Sequence, residues 1–327
     1  MRGPEFWDHE GGLAPALLAP LSLLYESGTL LRRALTTAQH VEVPVICIGN
    51  LVAGGAGKTP VTLALAARLQ GAGHAVHILS RGYGGREHGP LRIDPHRHTA
   101  REVGDEALLL AARAPTWVAR NRALGARAAA AAGAAVVLMD DGHQNPTLHK
   151  DLALVVVDAA YGIGNGRVIP AGPLREPAAA GLERADAVVL MGPAREEAVE
   201  RGVRASGKPV LWAQLVPAPE GYRLADQAVV AFAGIGRPAK FFESLRNLGC
   251  RVIAAHAFPD HHRYQGDEVM ALVEEAAAAG ARLVTTEKDY VRLSPQARPM
   301  VEVFPVTAEF ADRDALDRLI FGVLGHG

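Results

Sequence analysis

Val43-Pro-Val-Ile-Cys-Ile48 is a short β-branched run. It passes directly into Gly49-Asn-Leu-Val-Ala-Gly-Gly-Ala-Gly-Lys-Thr-Pro60 and then into an Ala/Leu-rich stretch. The order strand, glycine loop, helix constrains this chain more than any other feature, because it builds an anion cradle. Gly54, Gly55 and Gly57 let backbone N–H groups converge on phosphate oxygens, Lys58 supplies a point charge, and Thr59 can ligate Mg²⁺. Ala56 and Pro60 complete the stretch expected to hold ATP. The spacing departs from the strict GxxxxGK[ST] pattern, since Val52 stands six residues before Lys58. A Gly-rich turn with an incidental Lys-Thr pair is the bland alternative, and the flanking strand and helix speak against it.

From residue 43 onward, apolar runs alternate with Ala-rich stretches, which predicts an α/β fold, a parallel sheet with helices on both faces. Strands are expected at Val43 to Ile48, Ala75 to Leu79, Thr116 to Val118, Ala135 to Met139, Leu152 to Val157 and Ala187 to Leu190. Helices are expected at Thr59 to Gln70, Gly104 to Ala112 and Asn121 to Ala132. A second series of strands covers Val210 to Leu215, Val229 to Phe232, Arg251 to His256, Arg282 to Thr285 and Val301 to Pro305. Its helices fall near Ala239 to Leu248, Asp267 to Ala279 and Asp312 to Val323. The Pro-rich stretch from Val216 to Gly221 reads as a linker, giving units 38–216 and 217–327, the second smaller and α/β. Gly84 to Thr99, polar and rich in Gly and His, reads as a mobile loop.

Charge excludes one broad class of function. Thirty-four Lys and Arg balance 35 Asp and Glu for a formal charge of −1, so no global basic field exists for nucleic acid. Only five of those cations are lysines, which gives Lys58 added weight. Cys47 and Cys250 lie far apart without metal spacing and are expected to be buried thiols in a reducing compartment. Glu5, Asp8 and Glu10 precede the first apolar run, unlike the basic start of a secretory signal, so the protein is expected to stay inside the cell. That run, Leu13 to Leu24, contains Pro15 and Pro20 and falls short of the ~20 residues a spanning helix needs. With Leu30, Leu31 and Leu35 it continues as an amphipathic helix over residues 14–37, able to lie on a membrane or to face a protein core.

Acidic residues supply the candidate chemistry. Ala134-Ala-Val-Val-Leu-Met-Asp-Asp141 places two carboxylates at the mouth of an apolar strand, where Asp140 and Asp141 suit an Mg²⁺-facing position beside a phosphate loop. Gly104-Asp-Glu106 opens a helix. Capping alone would account for either Asp105 or Glu106, whereas both together suit a base plus a metal ligand. Phe258-Pro-Asp-His-His-Arg-Tyr264 gathers titratable groups on a loop, where a histidine can handle protons near neutrality, an ordinary polar surface loop being the alternative.

Several motifs occur in order: the loop from Gly49 to Pro60, Ser80-Arg-Gly-Tyr-Gly84, Gly104-Asp-Glu106 and Asp140-Asp-Gly-His-Gln144. They continue with Gly164-Asn-Gly-Arg167, Pro170-Ala-Gly-Pro-Leu-Arg-Glu-Pro177, Phe258-Pro-Asp-His261 and Thr285-Thr-Glu-Lys-Asp289. Together they resemble the tetraacyldisaccharide 4'-kinase family, which acts in lipid A biosynthesis, over nearly the whole chain. The resemblance implies a peripheral or monotopic P-loop kinase on the cytoplasmic face of the inner membrane. It would move the γ-phosphoryl of ATP to the 4'-hydroxyl of an acylated glucosamine disaccharide 1-phosphate, giving lipid IVA. It also favours the membrane-surface reading of residues 1–37, and it points to no obligate protein partner. Carried over by position, Lys58 and Thr59 hold ATP and Mg²⁺, Glu106, Asp140 and Asp141 serve the metal, and Asp105 is the base, oriented by His261. Arg81, Tyr83, Asn165, Arg167 and Arg175 would meet the sugar and its 1-phosphate, arginine forks being suited to phosphate.

Two positions depart from the family pattern: Val52, where Ser or Thr is expected, and His143, where Phe is usual. Neither touches the lysine, the metal positions or the Asp105–His261 pair, so an active enzyme is expected. The alternative class is a membrane-associated P-loop ATPase switch with water as nucleophile, and a third is a lipid-binding scaffold without turnover. A guanine-specific switch is disfavoured, because Thr286-Glu-Lys-Asp289 has the wrong order for an Asn-Lys-x-Asp signature.

Overall fold

The computed structural model describes residues 4–9, 11–192 and 197–325, so Glu10 and the ends 1–3 and 326–327 of the expected terminal units lie outside the described residues. A 3-10 turn (Glu5–Trp7) precedes helix α1 (Leu13–Ala34). There follow β1 (Val45–Gly49), α2 (Lys58–Gly71), β2 (Val76–Ser80), β3 (Leu91–Arg92), α3 (Ala100–Val103), α4 (Asp105–Ala111) and β4 (Thr116–Val118). The chain continues through α5 (Arg122–Ala131), β5 (Val136–Asp140), β6 (Leu152–Asp158), α6 (Ala178–Glu183), β7 (Ala187–Met191), α7 (Glu197–Arg204) and β8 (Val210–Pro217). A 3-10 segment, Pro219–Leu224, leads to β9 (Ala228–Ala233), α8 (Pro238–Asn247), β10 (Arg251–Ala257), α9 (Gly266–Ala278), β11 (Arg282–Thr286) and α10 (Glu287–Tyr290). Last come β12 (Glu302–Phe304), β13 (Val306–Phe310) and α11 (Arg313–Gly322).

Nine strands form the large sheet in the order β13-β8-β7-β6-β1-β5-β2-β4-β3, parallel except at its two edges. The order reverses around β1, which lies between β5 and β6, so the loop after β1 opens at the switch point where α/β sheets bind ligands. Alternation along β1 sends Ile46 and Ile48 into one core and Val45 and Cys47 into the other. A four-stranded parallel sheet, β10-β9-β11-β12, carries the second unit, with Val229 and Ala231 on one face and Val230 and Phe232 on the other.

The segment from Val216 to Gly221 is not a free linker. Val216 and Pro217 end β8 and pair antiparallel with Thr307 and Val306 of β13. The chain thus leaves the large sheet on one strand and returns on its neighbour, and β13 with α11 packs there rather than on the small sheet. Expected strand Val301 to Pro305 corresponds to β12 in the small sheet, and β13 in the large one has no counterpart among the expected strands. Gly84 to Thr99 is likewise stitched down: Arg86 and Glu87 N–H groups donate to Glu102 O, and β3 adds to the edge of β4. Cys47 and Cys250 are free and buried, as expected.

Helix α1 inverts the usual arrangement of an amphipathic helix. Two of its polar side chains face protein: Ser22 Oγ donates to Val168 O at 2.8 Å and accepts from Ala171 N at 3.1 Å, and Arg33 pairs with Glu176 at 3.0 Å. All but one of its leucines, the half-buried Leu18, face outward, Leu17 being 78% exposed, Leu24 70% and Leu31 60%. No helix among the described residues is long and apolar enough to cross a membrane.

Gly49, the last residue of β1, has no room for a side chain, because a Cβ there would lie 2.4 Å from His143 Cβ. Gly49→Ala should therefore destabilise the chain by about 1–3 kcal/mol through overpacking, read as a lower urea midpoint at unchanged slope.

Candidate active site

The loop after β1 is braced from within. Asn50, fully buried, donates from Nδ2 to Val52 O at 2.8 Å and Gly54 O at 3.3 Å, and Gln144 Nε2 donates to Asn50 O at 2.9 Å. Gly54 (φ +131°) and Gly57 (φ +87°) take backbone conformations that L side chains avoid, so the loop curls over the N-terminus of α2. Pro60 sits in the first turn of that helix, where its missing N–H costs no hydrogen bond. Val52, in place of a hydroxyl residue, is buried and bridges to Leu174 in an apolar cluster.

Behind the loop stand the two strand-end carboxylates. Asp140, 1% exposed, accepts a hydrogen bond from Thr62 Oγ1 at 3.0 Å and joins no ion pair among the described residues. Burial, aided by the negative charge of Glu106, pushes its pKa up to about 7. Asp141, in the left-handed region at φ +52°, turns the other way, 3.6 Å from Lys58 Nζ and 2.7 Å from Arg175 Nη1. Burial raises its pKa, but Lys58 and Arg175 outweigh that and hold it at about 2. This asymmetry fits a divalent cation: Asp140 is a desolvated carboxylate in no ion pair among the described residues, Glu106 is near enough to act on its charge, and oxygen donors suit Mg²⁺.

Helix α4 brings Asp105 and Glu106 to the same region from the far side, and both are met by the second unit. His261 Nδ1 lies 2.9 Å from Asp105 Oδ2, Arg292 Nε donates to the same oxygen at 2.8 Å, and Lys288 pairs with Glu106 at 2.9 Å. Burial penalises the Asp105 carboxylate, yet the His261 hydrogen bond and the Arg292 charge keep it well below the ordinary range. His261 is itself left-handed at φ +60°, with its N–H donating to Gly234 O.

The other sequence-derived positions divide. Arg81, Tyr83 and Arg167 are exposed, Tyr83 by 73%, on loops at the same end of the sheet. Asn165 is occupied in holding its own loop, donating to Phe6 O and Ala171 O, both at 3.0 Å. Arg175 is engaged with Asp141. Arg292 and Lys288 were not singled out as site residues from sequence, although Lys288 lies within the quoted Thr285–Asp289 motif.

A family model described as tetraacyldisaccharide-1-P 4'-kinase matches residues 14–324. The chain belongs to this family. Among its relatives, the tetraacyldisaccharide 4'-kinase of Rhodospirillum centenum is 54% identical, with 99% of this chain and 97% of that one covered. Those of Rhodospirillum rubrum and Jannaschia sp. are 52% and 51% identical, over 99% and 100% of both chains respectively. The structure is similar to LpxK from Aquifex aeolicus crystallised in complex with ATP, with TM-score 0.77 and 29% identity, covering 95% of this chain and 100% of that one. The chain is accordingly a kinase of the 4'-kinase family with a P-loop α/β fold.

His143, where this family was expected to carry Phe, is 2% exposed, with Nε2 2.8 Å from Gly181 O. Burial pulls its pKa down to about 4, so the ring is neutral at physiological pH and serves as packing. A histidine depressed in the folded state gives stability that is present above its unfolded pKa of about 6.5 and lost as pH falls through about 4. His143→Phe should therefore flatten the fall in thermal midpoint between those two pH values; an unchanged acid slope would show that the ring charges freely.

Proposed function

We propose that this chain transfers the γ-phosphoryl group of ATP to the 4'-hydroxyl of a tetraacyl glucosamine disaccharide 1-phosphate, giving lipid IVA, in a cleft shared by its two units. The observation that carries the proposal is the 2.9 Å contact between Asp105 and His261, made across the units beside a phosphate loop. An ATPase that activates water needs no imidazole delivered from a second unit, whereas an acceptor larger than water has to be enclosed.

In this reading the N–H groups from Gly54 to Gly57, Lys58 and the α2 dipole hold the phosphates. Asp105 accepts a hydrogen bond from the sugar hydroxyl, orients its oxygen in line with the γ-phosphorus and takes its proton as the new P–O bond forms and ADP departs. A carboxylate with a depressed pKa suits that task, because phosphoryl transfer demands positioning and charge stabilisation more than early deprotonation. Thr59 and Asp140, with Glu106 and Asp141 beside them, would hold Mg²⁺, which would neutralise charge on the phosphates. Arg81, Tyr83 and Arg167 remain available to the disaccharide and its 1-phosphate. Arg175 instead helps fix Asp141, and Asn165 shapes the loop that carries Arg167.

The outward leucines of α1 support a membrane-surface role on the cytoplasmic face of the inner membrane, where an acylated substrate resides. The closing unit in this account runs from Pro219 to Phe304, smaller than a unit extending to the C-terminus.

The test is transfer from γ-labelled ATP to the tetraacyl disaccharide 1-phosphate with Mg²⁺ in detergent, beside a control lacking acceptor. Asp105→Asn should lower transfer by about 10²- to 10⁴-fold while ATP binding stays within about threefold, and Lys58→Ala should weaken ATP binding itself. Phosphate release at equal rates with and without lipid would mark a switch ATPase. For the membrane reading, a Leu17→Ser, Leu24→Ser, Leu31→Ser triple variant should lose most of its cosedimentation with anionic phospholipid vesicles. Undiminished sedimentation would reject α1 as the contact.

A further inference from the structure

Within the motif Thr285-Thr-Glu-Lys-Asp289, Lys288 pairs with Glu106, whereas Asp289 belongs to neither the phosphate loop nor the metal positions. The structure makes Asp289, fully buried, the hub of a hydrogen-bond network. Its Oδ1 accepts from Gly234 N at 3.0 Å, Tyr264 OH at 2.9 Å and Arg292 Nη1 at 2.9 Å, and its Oδ2 accepts from Thr286 Oγ1 at 2.6 Å. Arg292 Nη1 also donates to Gly234 O at 2.7 Å, the carbonyl that receives His261 N–H at 3.0 Å. The other edge of the guanidinium, Nε and Nη2, reaches Asp105 Oδ2. Its side chain is 6% exposed, so the fork works where water competes little.

We infer that Arg292 is a positioning residue for the transfer: anchored by Asp289, it clamps one oxygen of Asp105 and thereby dedicates the other to the acceptor hydroxyl. The inference rests on the kinase reading above. Asp105 Oδ2 is taken by His261 and Arg292, whereas among the described residues Oδ1 has a single partner, the Glu106 N–H at 3.0 Å, which leaves a lone pair of Oδ1 for the acceptor. Two guanidinium donors converging on Oδ2 fix that oxygen in place, the opposite edge of the guanidinium is held by Asp289 and Gly234, and the Glu106 N–H on Oδ1 sets the turn of the carboxylate. Because Gly234 O is bound by both Arg292 and the His261 backbone, clamp and imidazole arrive together when the second unit docks on α4. A single turn of chain after β11 delivers both cations, Lys288 to Glu106 and Arg292 to Asp105.

The experiment measures kcat and KM for ATP and for the tetraacyl disaccharide 1-phosphate in the full chain carrying Arg292→Gln, Arg292→Lys or Asp105→Asn, with thermal melts to confirm folding. Arg292→Gln should lower kcat by about 30-fold or more with both KM values within about threefold, and Arg292→Lys, keeping charge without the fork, should fall about three- to tenfold short of the parent. A Gln variant within twofold of the parent kcat, or a loss carried by KM, overturns the inference. So does a folded Lys variant as poor as Gln or as good as the parent. Should Arg292→Gln fail to fold, Arg292→Lys decides alone, on the same three- to tenfold loss in kcat at unchanged KM. If Asp105→Asn is crippled while Arg292→Gln is not, only the clamp falls. If Asp105→Asn transfers normally, the base assignment falls and the clamp with it.

Discussion

Negative charge gathered at one end of a buried sheet is the constraint around which the molecule is organised. Asp105, Glu106, Asp140 and Asp141 meet where triphosphate must also enter, and a desolvated carboxylate is costly unless something positive faces it. The chain answers from three directions. Lys58 and Arg175 meet Asp141 from within the large unit, while Lys288 and Arg292 cross from the small unit to Glu106 and Asp105. Asp140 alone of the four joins no ion pair among the described residues and accepts from the Thr62 hydroxyl. The packing of one unit on the other is thus an electrostatic requirement of the site.

Much of this was legible because its signals are local. The run from Val45 to Ile48 alternates between two cores, the glycines after it match the positive φ angles they allow, and Asp140 and Asp141 end their strand where the apolar pattern stops. What was not legible depends on separation along the chain. Val306 to Phe310 is assigned no element from sequence, since nothing local tells an edge strand which sheet it will join. Arg292 is one of 29 arginines, and its partner Asp105 lies 187 residues away. Arg175 carries a fork suited to phosphate, but which anion it meets depends on the turn at Asp141.

One loop connects features that the sequence presents separately. Residues from Val168 to Glu176 receive Ser22 and Arg33 of α1 on one side. On the other, Pro173 O accepts from Ala53 N, Arg175 N–H donates to Leu51 O, and the Arg175 side chain holds Asp141. The same short segment therefore sits between the helix with the outward leucines and the loop that cradles phosphate. Its hydrogen bonds explain why α1, poor in contacts to any core, still has a fixed place.

The return of the chain on β13 also bears on how the protein is made. Strand β8 ends at Pro217, yet the neighbour that pairs with it begins at Val306, so the nine-stranded sheet stays unfinished while the intervening residues emerge from the ribosome. Until then β8 is an open edge with unpaired backbone groups, the kind of surface that invites wrong pairings. The small unit, with its own four strands and two apolar faces, can fold in that interval. Completion of the large sheet by β13 and α11 is then the step that makes the nucleotide-binding half whole, and it waits until the residues of the small unit have been made.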